Sequence, residues 1–467
     1  MRCPAVALVC LAVLCGAPPT RHRLELADCD DVAFGPDGDL YLACHSPEDR
    51  LQIAVRGAKT AVDEMDAYVL RLNPRTGKLV FATRFAGNSY DAALRIKVDD
   101  QGFAYTTGVT KSSDFPGTVD ALQRKVGGGR DAFVAKISPS GEIVYSTPIG
   151  GSGVDVGSAL DIDSRGNVYV GGWTSSNDFP VQVTRKATTE NNAFVCRLRT
   201  DRHGMSCRVF GGGKDEMLTG IALDRQGGIY AAGSTSSADF PVLQPTQKML
   251  GGRTDVFLTR LDVSSLEITF STFIGGSGDD TGWGVVVDKR GDPTVAGTTD
   301  STDLPGTTGS YQPSNRGKKD AFLASIRMRH RRQVRATYFG GANNDESGYD
   351  GGDIKVDRRG NLWVTGTTYS DDLPTRKATQ ARFGGGDGDG FVAAFSPDLS
   401  KLCVASYHGD ENRNLLEGIA ISPSGLVAVA GVSFAPAPSA LHIQIGRANI
   451  FAGANVLVLR AQEVCAQ

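Results

Sequence analysis

The 467-residue chain is poor in aromatic residues, 7% of the total, has six histidines in all and carries no excess of positive charge. A formal net charge of −3 gives no global basic field to hold a phosphate backbone, so no nucleic acid partner is expected. Long apolar runs are missing too. Beyond the N-terminal stretch no segment approaches the ~20 apolar residues a membrane helix needs, and no membrane span is expected. The histidines show neither HxxxH nor HxH spacing, the cysteines no CxxC, and there is no GxSxG, so the common zinc and serine-hydrolase signatures are absent. Glycine is plentiful, with 58 residues, beside a hydrophobic share of 40% and a charged share of 22%. That composition describes an ordered, turn-rich, all-β chain.

The N-terminus reads Met1, Arg2, an apolar run from Ala5 to Leu14, then Cys15, Gly16, Ala17, Pro18 and Pro19. This is the pattern of a Sec-type signal peptide over residues 1–17, with the cut between 15 and 20. Leu14 is a poor residue before a lipid-modified Cys15. The expected location is therefore secreted, periplasmic or cell-surface. Removing the signal leaves Cys29, Cys44, Cys196, Cys207, Cys403 and Cys465, an even set that permits disulfides in 15 pairings.

The stretch Asp131 to Pro180 repeats along the chain. Its opening recurs at Asp66-Ala-Tyr-Val, Asp131-Ala-Phe-Val, Asn192-Ala-Phe-Val, Asp255-Val-Phe-Leu, Asp320-Ala-Phe-Leu, Asp389-Gly-Phe-Val and Asn455-Val-Leu-Val. A glycine closing a second β-branched segment recurs at Gly108, Gly172, Gly233, Gly297, Gly366 and Gly431, with Cys44 in the first copy. The steps are 64, 64, 61, 64, 69 and 65 residues, a period that marks an array of supersecondary units. Asp-x-x-Gly and Ser-Pro-Ser-Gly links between β-branched runs read as hairpin turns. Four antiparallel strands per unit, seven times, predict a seven-bladed β-propeller over residues 24–467 as a single domain.

DAFVAKISPSG, YSTPIGGSGVD, SRGNVYVGG and TSSNDFP together resemble the SBBP (seven-bladed β-propeller) repeat of exported bacterial proteins, over about residues 28 to 460. The resemblance implies a propeller and a surface or secreted setting, and little about activity. Leu24-Glu25-Leu26 are expected to supply the outer strand of the last blade, closing a ring whose edges would otherwise be open. Cys29 and Cys465 fall near that seam and would lock it as a disulfide. Cys196 and Cys207 flank the turn Thr200 to Gly204 at matching distances, which predicts a cross-strand pair.

Up-down-up-down blades send their long loops to one face and their tight turns to the other, and long loops are the first place to look for function. The loop face carries SSxDFP segments from Ser112, Ser175, Ser236, Ser301 and Ser370, read as loop caps and blade packing. It also carries an acidic residue after each glycine-rich return: Asp91, Asp155, Asp215, Asp279 with Asp280, Asp345 with Glu346, and Asp410 with Glu411, with Asp28 or Asp30 in the first copy. A ring of these at the channel mouth would hold Ca²⁺, and the competing reading has each carboxylate satisfying its own loop amides. His45, His408 and His442 depart from the repeat and, with Asp410 and Glu411, are the candidate metal or acid-base residues. The turn face gathers Arg165, Arg225, Lys289, Arg290, Arg358, Arg359 and the run from Arg327 to Arg335. Arg329, Arg331 and Arg332 are the candidate contacts to an anionic polysaccharide, lipid headgroup or acidic partner.

With no nucleophile, cofactor or metal motif, the favoured function is a non-catalytic binding or scaffold propeller, monomeric, meeting protein or polysaccharide at the cell envelope. The alternatives are an extracellular glycan lyase or hydrolase with its site at the channel mouth, and a cation-stabilised envelope component.

Overall fold

The computed structural model describes residues 28–47, 65–180, 190–199, 204–329, 332–346, 352–433, 442–445 and 455–460. The signal-peptide segment, Leu24 to Leu26, Arg331 and Cys465 lie outside them. Every strand pair in the first six sheets is antiparallel.

Blade 1 comprises Asp28–Phe34, Leu40–Pro47, Met65–Asn73 and Lys78–Phe85; blade 2, Asp91–Val98, Ala104–Thr110, Asp131–Ile137 and Ile143–Ile149. Blade 3 runs Asp155–Ile162, Asn167–Thr174, Asn192–Arg199 and Gly204–Phe210; blade 4, Glu216–Leu223, Gly228–Thr235, Asp255–Asp262 and Ile268–Ile274. Blade 5 is Asp280–Val287, Pro293–Thr299, Asp320–Arg327 and Gln333–Phe339. Blade 6 pairs an interrupted first strand, Asp345–Glu346 and Ile354–Val356, with Leu362–Thr368, Asp389–Phe395 and Leu402–His408. The first strand of each blade faces the ring axis and packs on the first strand of the next.

The expectation of seven antiparallel blades is corrected to six. The remaining C-terminal sheet begins as the others do, with Asn414–Ile421 against Leu426–Ser433, and then departs from the pattern. Its third position is Asn455–Arg460, and its outer position is His442–Ile445, which runs parallel to that strand. The outer segment precedes its neighbour in the chain and is not joined to it by a hairpin, so antiparallel pairing is not imposed. This sheet nevertheless packs on blade 1: Ala420, Ala428 and Ala430 share a core with Cys29, Val32 and Leu42.

The repeat's signatures have packing causes. The first strand carries a β-bulge in blades 1 to 5 and in the C-terminal sheet, such as between Leu218 and Gly220. The recurring second-strand glycine lies against that bulge. A methyl on Gly172 would overlap the Val156 carbonyl oxygen, and it would meet the Phe194 ring at 2.9 Å. The phenylalanine of the DAFV segments is buried in every blade from 2 to 6, as Phe133, Phe194, Phe257, Phe322 and Phe391. The SSxDFP phenylalanines pack on it: Phe115 on Phe133, Phe179 on Phe194 and Phe240 on Phe257, with centroids 4.7–4.9 Å apart. The long loops of blades 2, 4, 5 and 6 then fold back along the outermost strand, through contacts such as Leu243 with Ser271 and Arg376 with Ala405. That pairing covers edges that would otherwise be open.

Two disulfides bridge directly opposed residues of adjacent strands, Cys196–Cys207 in blade 3 and Cys29–Cys44 in blade 1, each with a Cα separation of 4.0 Å. Cys29 is thus engaged within its own hairpin, which corrects the expected pairing with Cys465.

Candidate functional site

The acidic residues do not form an open ring at a channel mouth. Asp91, Asp155, Asp280 and Asp345 open the first strands of blades 2, 3, 5 and 6 and are fully buried. Each accepts the amide of a glycine four residues earlier, Gly87, Gly151, Gly276 or Gly341, at 2.7–2.8 Å. Each also accepts a hydroxyl from an SSxDFP segment, Ser112, Ser176, Ser301 or Ser370, at 2.7–3.0 Å. In blade 4 the position belongs to Glu216, while Asp215 sits at the surface accepting from Asn191. Asp279 pairs with the exposed Arg253, and Asp410 accepts from Asn412 and Asn414. The SSxDFP aspartates close the same loops, as where Asp178 takes the Ser152 amide at 2.7 Å. Among the described residues no group of three or more His, Cys, Asp or Glu side chains could hold a metal ion.

These carboxylates meet a second set at the blade junctions. Asp131, Asp255 and Asp320 open the third strands of blades 2, 4 and 5 and accept amides from their own loops, Gly127, Gly251 and Arg316 among them. A Cβ on Gly150 would touch both Asp131 and Asp155; Gly275 stands in the same relation to Asp255 and Asp280, and Gly340 to Asp320 and Asp345. Burial pushes Asp91, Asp131, Asp280 and Asp320 up to about 6 and Asp345 and Asp389 up to about 7, with the facing carboxylate adding to the rise at Asp131, Asp280 and Asp345. At two junctions an amide replaces one acid, Asn192 facing Glu216 and Asn414 facing Asp389.

The histidines are not brought together. His45, half-buried in blade 1, has Nδ1 3.0 Å from Asp30 Oδ2. His408 ends the last strand of blade 6 and is buried, which pushes its pKa down to about 4 and keeps it neutral. The C-terminal sheet stands between those blades, and His442 opens its outer strand.

On the turn face the candidates separate. Arg329 is exposed at the blade 5 hairpin, whereas Arg332 donates to the backbone oxygen and Oε1 of Gln244 and lies 5.3 Å over Phe270. Neither lines the groove of about 630 Å³ that the neighbouring turns form between blades 4, 5 and 6. Its cations are Arg225, Lys289, Arg290, Arg327, Arg358 and Arg359. They are displayed by rigid turns. Asp224, Asp288 and Asp357 each accept amides two and four residues on, and Gly227, Gly291 and Gly360 take φ of 81–88° to close the loop. The five carboxylates of the lining are engaged elsewhere: Asp224 with Arg260, Asp292 with the Met328 amide, Asp357 with Asn361, Asp398 with Ser396 and Ser400, and Asp288 with its own turn. None of the six cations has an ion-pair partner among the described residues; Lys289 donates to the Arg358 backbone oxygen at 2.9 Å.

The ring axis holds a smaller chamber of about 240 Å³. Asp31, Arg95, Lys97, Asp161, Asp353 and Lys355 line one side, and Ala222, Trp283 and Val286 the other. Sequence reading passed over these residues, though a signal existed. Charges occupy alternate positions of the first strands at Arg95-Ile-Lys97 and Asp353-Ile-Lys355, where blade 4 has Gly220 and Ala222 and blade 5 has Gly284 and Val286.

Comparison with known proteins gives one family match and several distant likenesses. The regulatory protein FlaEY of Caulobacter vibrioides is 25% identical over 338 residues, which is 68% of this chain and 35% of that protein. The chain thus spans about a third of that relative's length. A polysaccharide lyase, an ulvan lyase, superposes with a TM-score of 0.47 at 12% identity over 93% of this chain and 94% of its own. A gluconolactonase of Xanthomonas campestris gives 0.35 at 10% identity, over 74% and 84%. Neither likeness carries a functional argument. The β-propeller repeat model SBBP matches residues 144–180 and 218–241, in blades 2 to 4, so these blades are similar to that repeat.

Proposed function

We propose that the protein is an exported, non-catalytic binding propeller whose turn face takes an anionic ligand in the groove between blades 4, 5 and 6. The observation that carries this reading is the division of labour in the groove lining: its five carboxylates are bonded to amides, hydroxyls or Arg260, and its six cations have no ion pair among the described residues. Unpaired cations held on rigid turns lose little freedom on binding and attract anions from solution. Arginine, at five of the six positions, is the side chain suited to carboxylate and sulfate groups in forked geometry. Two disulfides are compatible with an oxidising compartment.

The test is binding of polygalacturonate and of uncharged dextran to the full chain at low and at raised salt. Polygalacturonate is expected to bind, with affinity falling steeply as salt rises, and Arg290→Glu with Arg359→Glu is expected to weaken it at least tenfold. Equal binding of dextran, or unchanged binding by the double reversal, would overturn the reading.

A further inference from the structure

We infer that the groove and the axial chamber form one continuous site, and that it receives the end of a linear, hydroxyl-bearing polyanion whose terminal unit enters the chamber. This deepens the anion-binding reading and rests on it. Leu223, Val287 and Val356, which belong to the first strands of blades 4, 5 and 6, line both cavities. The groove therefore opens inward over an aliphatic threshold and is not closed off from the axis. The groove lies across turns of three blades, while the chamber lies between the first strands along the ring axis. A chain lying in the groove can turn into the chamber only with its end.

Size and chemistry limit what enters. A volume of about 240 Å³ lies below the ~300–1,000 Å³ usual for drug-sized ligands, so the chamber takes a single unit while the groove holds the units that follow. Its charged wall presents both signs. Lys97 Nζ stands 3.6 Å from Asp161 Oδ1, Lys355 pairs with Asp353, and both lysines retain a quarter to a third of their side-chain exposure. Asp31 accepts the amides of Val32 and Ile96, and Asp161 those of Ile162 and Leu223, which fixes the carboxylates while leaving acceptor capacity. Carboxylates that accept hydroxyl protons beside ammonium groups that meet an acid suit an acidic sugar unit better than a purely apolar or purely anionic one. Opposite them Ala222 and Val286, at the positions that Lys97 and Lys355 hold in their own blades, offer an apolar surface to the ring's carbon face.

The experiment uses hexagalacturonate and the full chain. Affinity is measured for the free hexamer and for hexamers carrying a bulky blocking group at one end, at the other, and at both. One single-blocked hexamer is expected to match the free one and the other to lose at least tenfold, as should the doubly blocked one. Lys97→Met and Lys355→Met should each weaken the free hexamer several-fold and narrow the difference between the two single-blocked forms. If a doubly blocked hexamer binds the unaltered protein as tightly as the free one, the end-binding inference is overturned while anion binding stands. If no hexamer binds even at low salt, the reading beneath it fails. The blocking series needs no variant, so a lysine substitution that unfolds the protein does not remove the test.

Discussion

The loop face and the turn face of the ring use polar side chains differently. On the loop face Ser112, Asp114, Asp91 and their counterparts bond to one another's loops, so the repeat's most visible motif closes on itself. On the turn face the same economy applies to the carboxylates but not to the cations, because Arg225, Arg290 and Arg359 ride on turns whose aspartates do the bonding. What recurs in every blade has been spent on holding blades together. What differs between blades remains open to a ligand.

The comparison requires that loop-face and junction changes reduce stability and leave anion binding in the surviving folded protein. The largest effect is expected at Gly172. A Cβ there overlaps the Val156 carbonyl oxygen, so the blade 3 bulge must shift, and Gly172→Ala should cost about 3 kcal/mol or more. Denaturant titration reads the loss. A near-neutral Gly172→Ala would show that the bulge is soft and that the glycine repeats for some reason other than packing.

The four-stranded units were legible because their turn chemistry is local: Asp163-x-x-Gly166 announces a hairpin wherever it occurs. The ring count was not. The last repeat keeps its Asn455-Val-Leu-Val segment in sequence, but Leu457 faces Val429 where the equivalent residue of other blades faces the recurring glycine, and the sheet is completed by His442–Ile445 in parallel, a long-range choice no turn encodes. The Cys29–Cys44 pair was obscured by one residue. The bulge at Asp30 offsets the spacing about the Gly35–Gly38 turn, whereas Cys196 and Cys207 are symmetric about theirs. The acidic positions were found at the right loops, Asp280 among them beside Asp279, and one residue early in blade 4, where Glu216 takes the buried place beside Asp215. Basic turns were visible in the chain, yet only their convergence on one groove separates Arg290 and Arg359 from Arg332.

A middle-sized effect concerns pH. In the unfolded chain the junction aspartates titrate near ~3.9. In the folded chain burial raises Asp131, Asp280 and Asp320 to about 6 and Asp345 to about 7. A raised folded value means that the folded state holds protons the unfolded state has released. The stability these groups contribute is therefore full below about pH 4 and lost as pH climbs through 6 to 7. The groups facing Asp345 are Thr368, Ser370, the Gly341 amide and Asp320, and Arg316 lies beside Asp320. The melting temperature should fall by several degrees between pH 5 and pH 8, and Asp345→Asn, which imitates the natural amides Asn192 and Asn414, should flatten part of that slope. A higher melting temperature at pH 8 than at pH 5 would count against proton retention at the junctions.

The smallest effects divide the blade 5 hairpin. Arg332→Glu breaks the contacts to Gln244 and Phe270 that tie this hairpin to blade 4, and should cost about 0.5–1 kcal/mol. Arg329→Glu alters an exposed tip and should fall within about 0.5 kcal/mol of the parent. Neither residue lines the groove, so both variants should keep polygalacturonate binding within about twofold at moderate salt, where distant exposed charges are screened. A tenfold loss from Arg329→Glu would move the ligand surface outward onto the hairpin. It would also mean that an arginine's place in a charge run, and not its place in the groove, decides whether it meets the ligand.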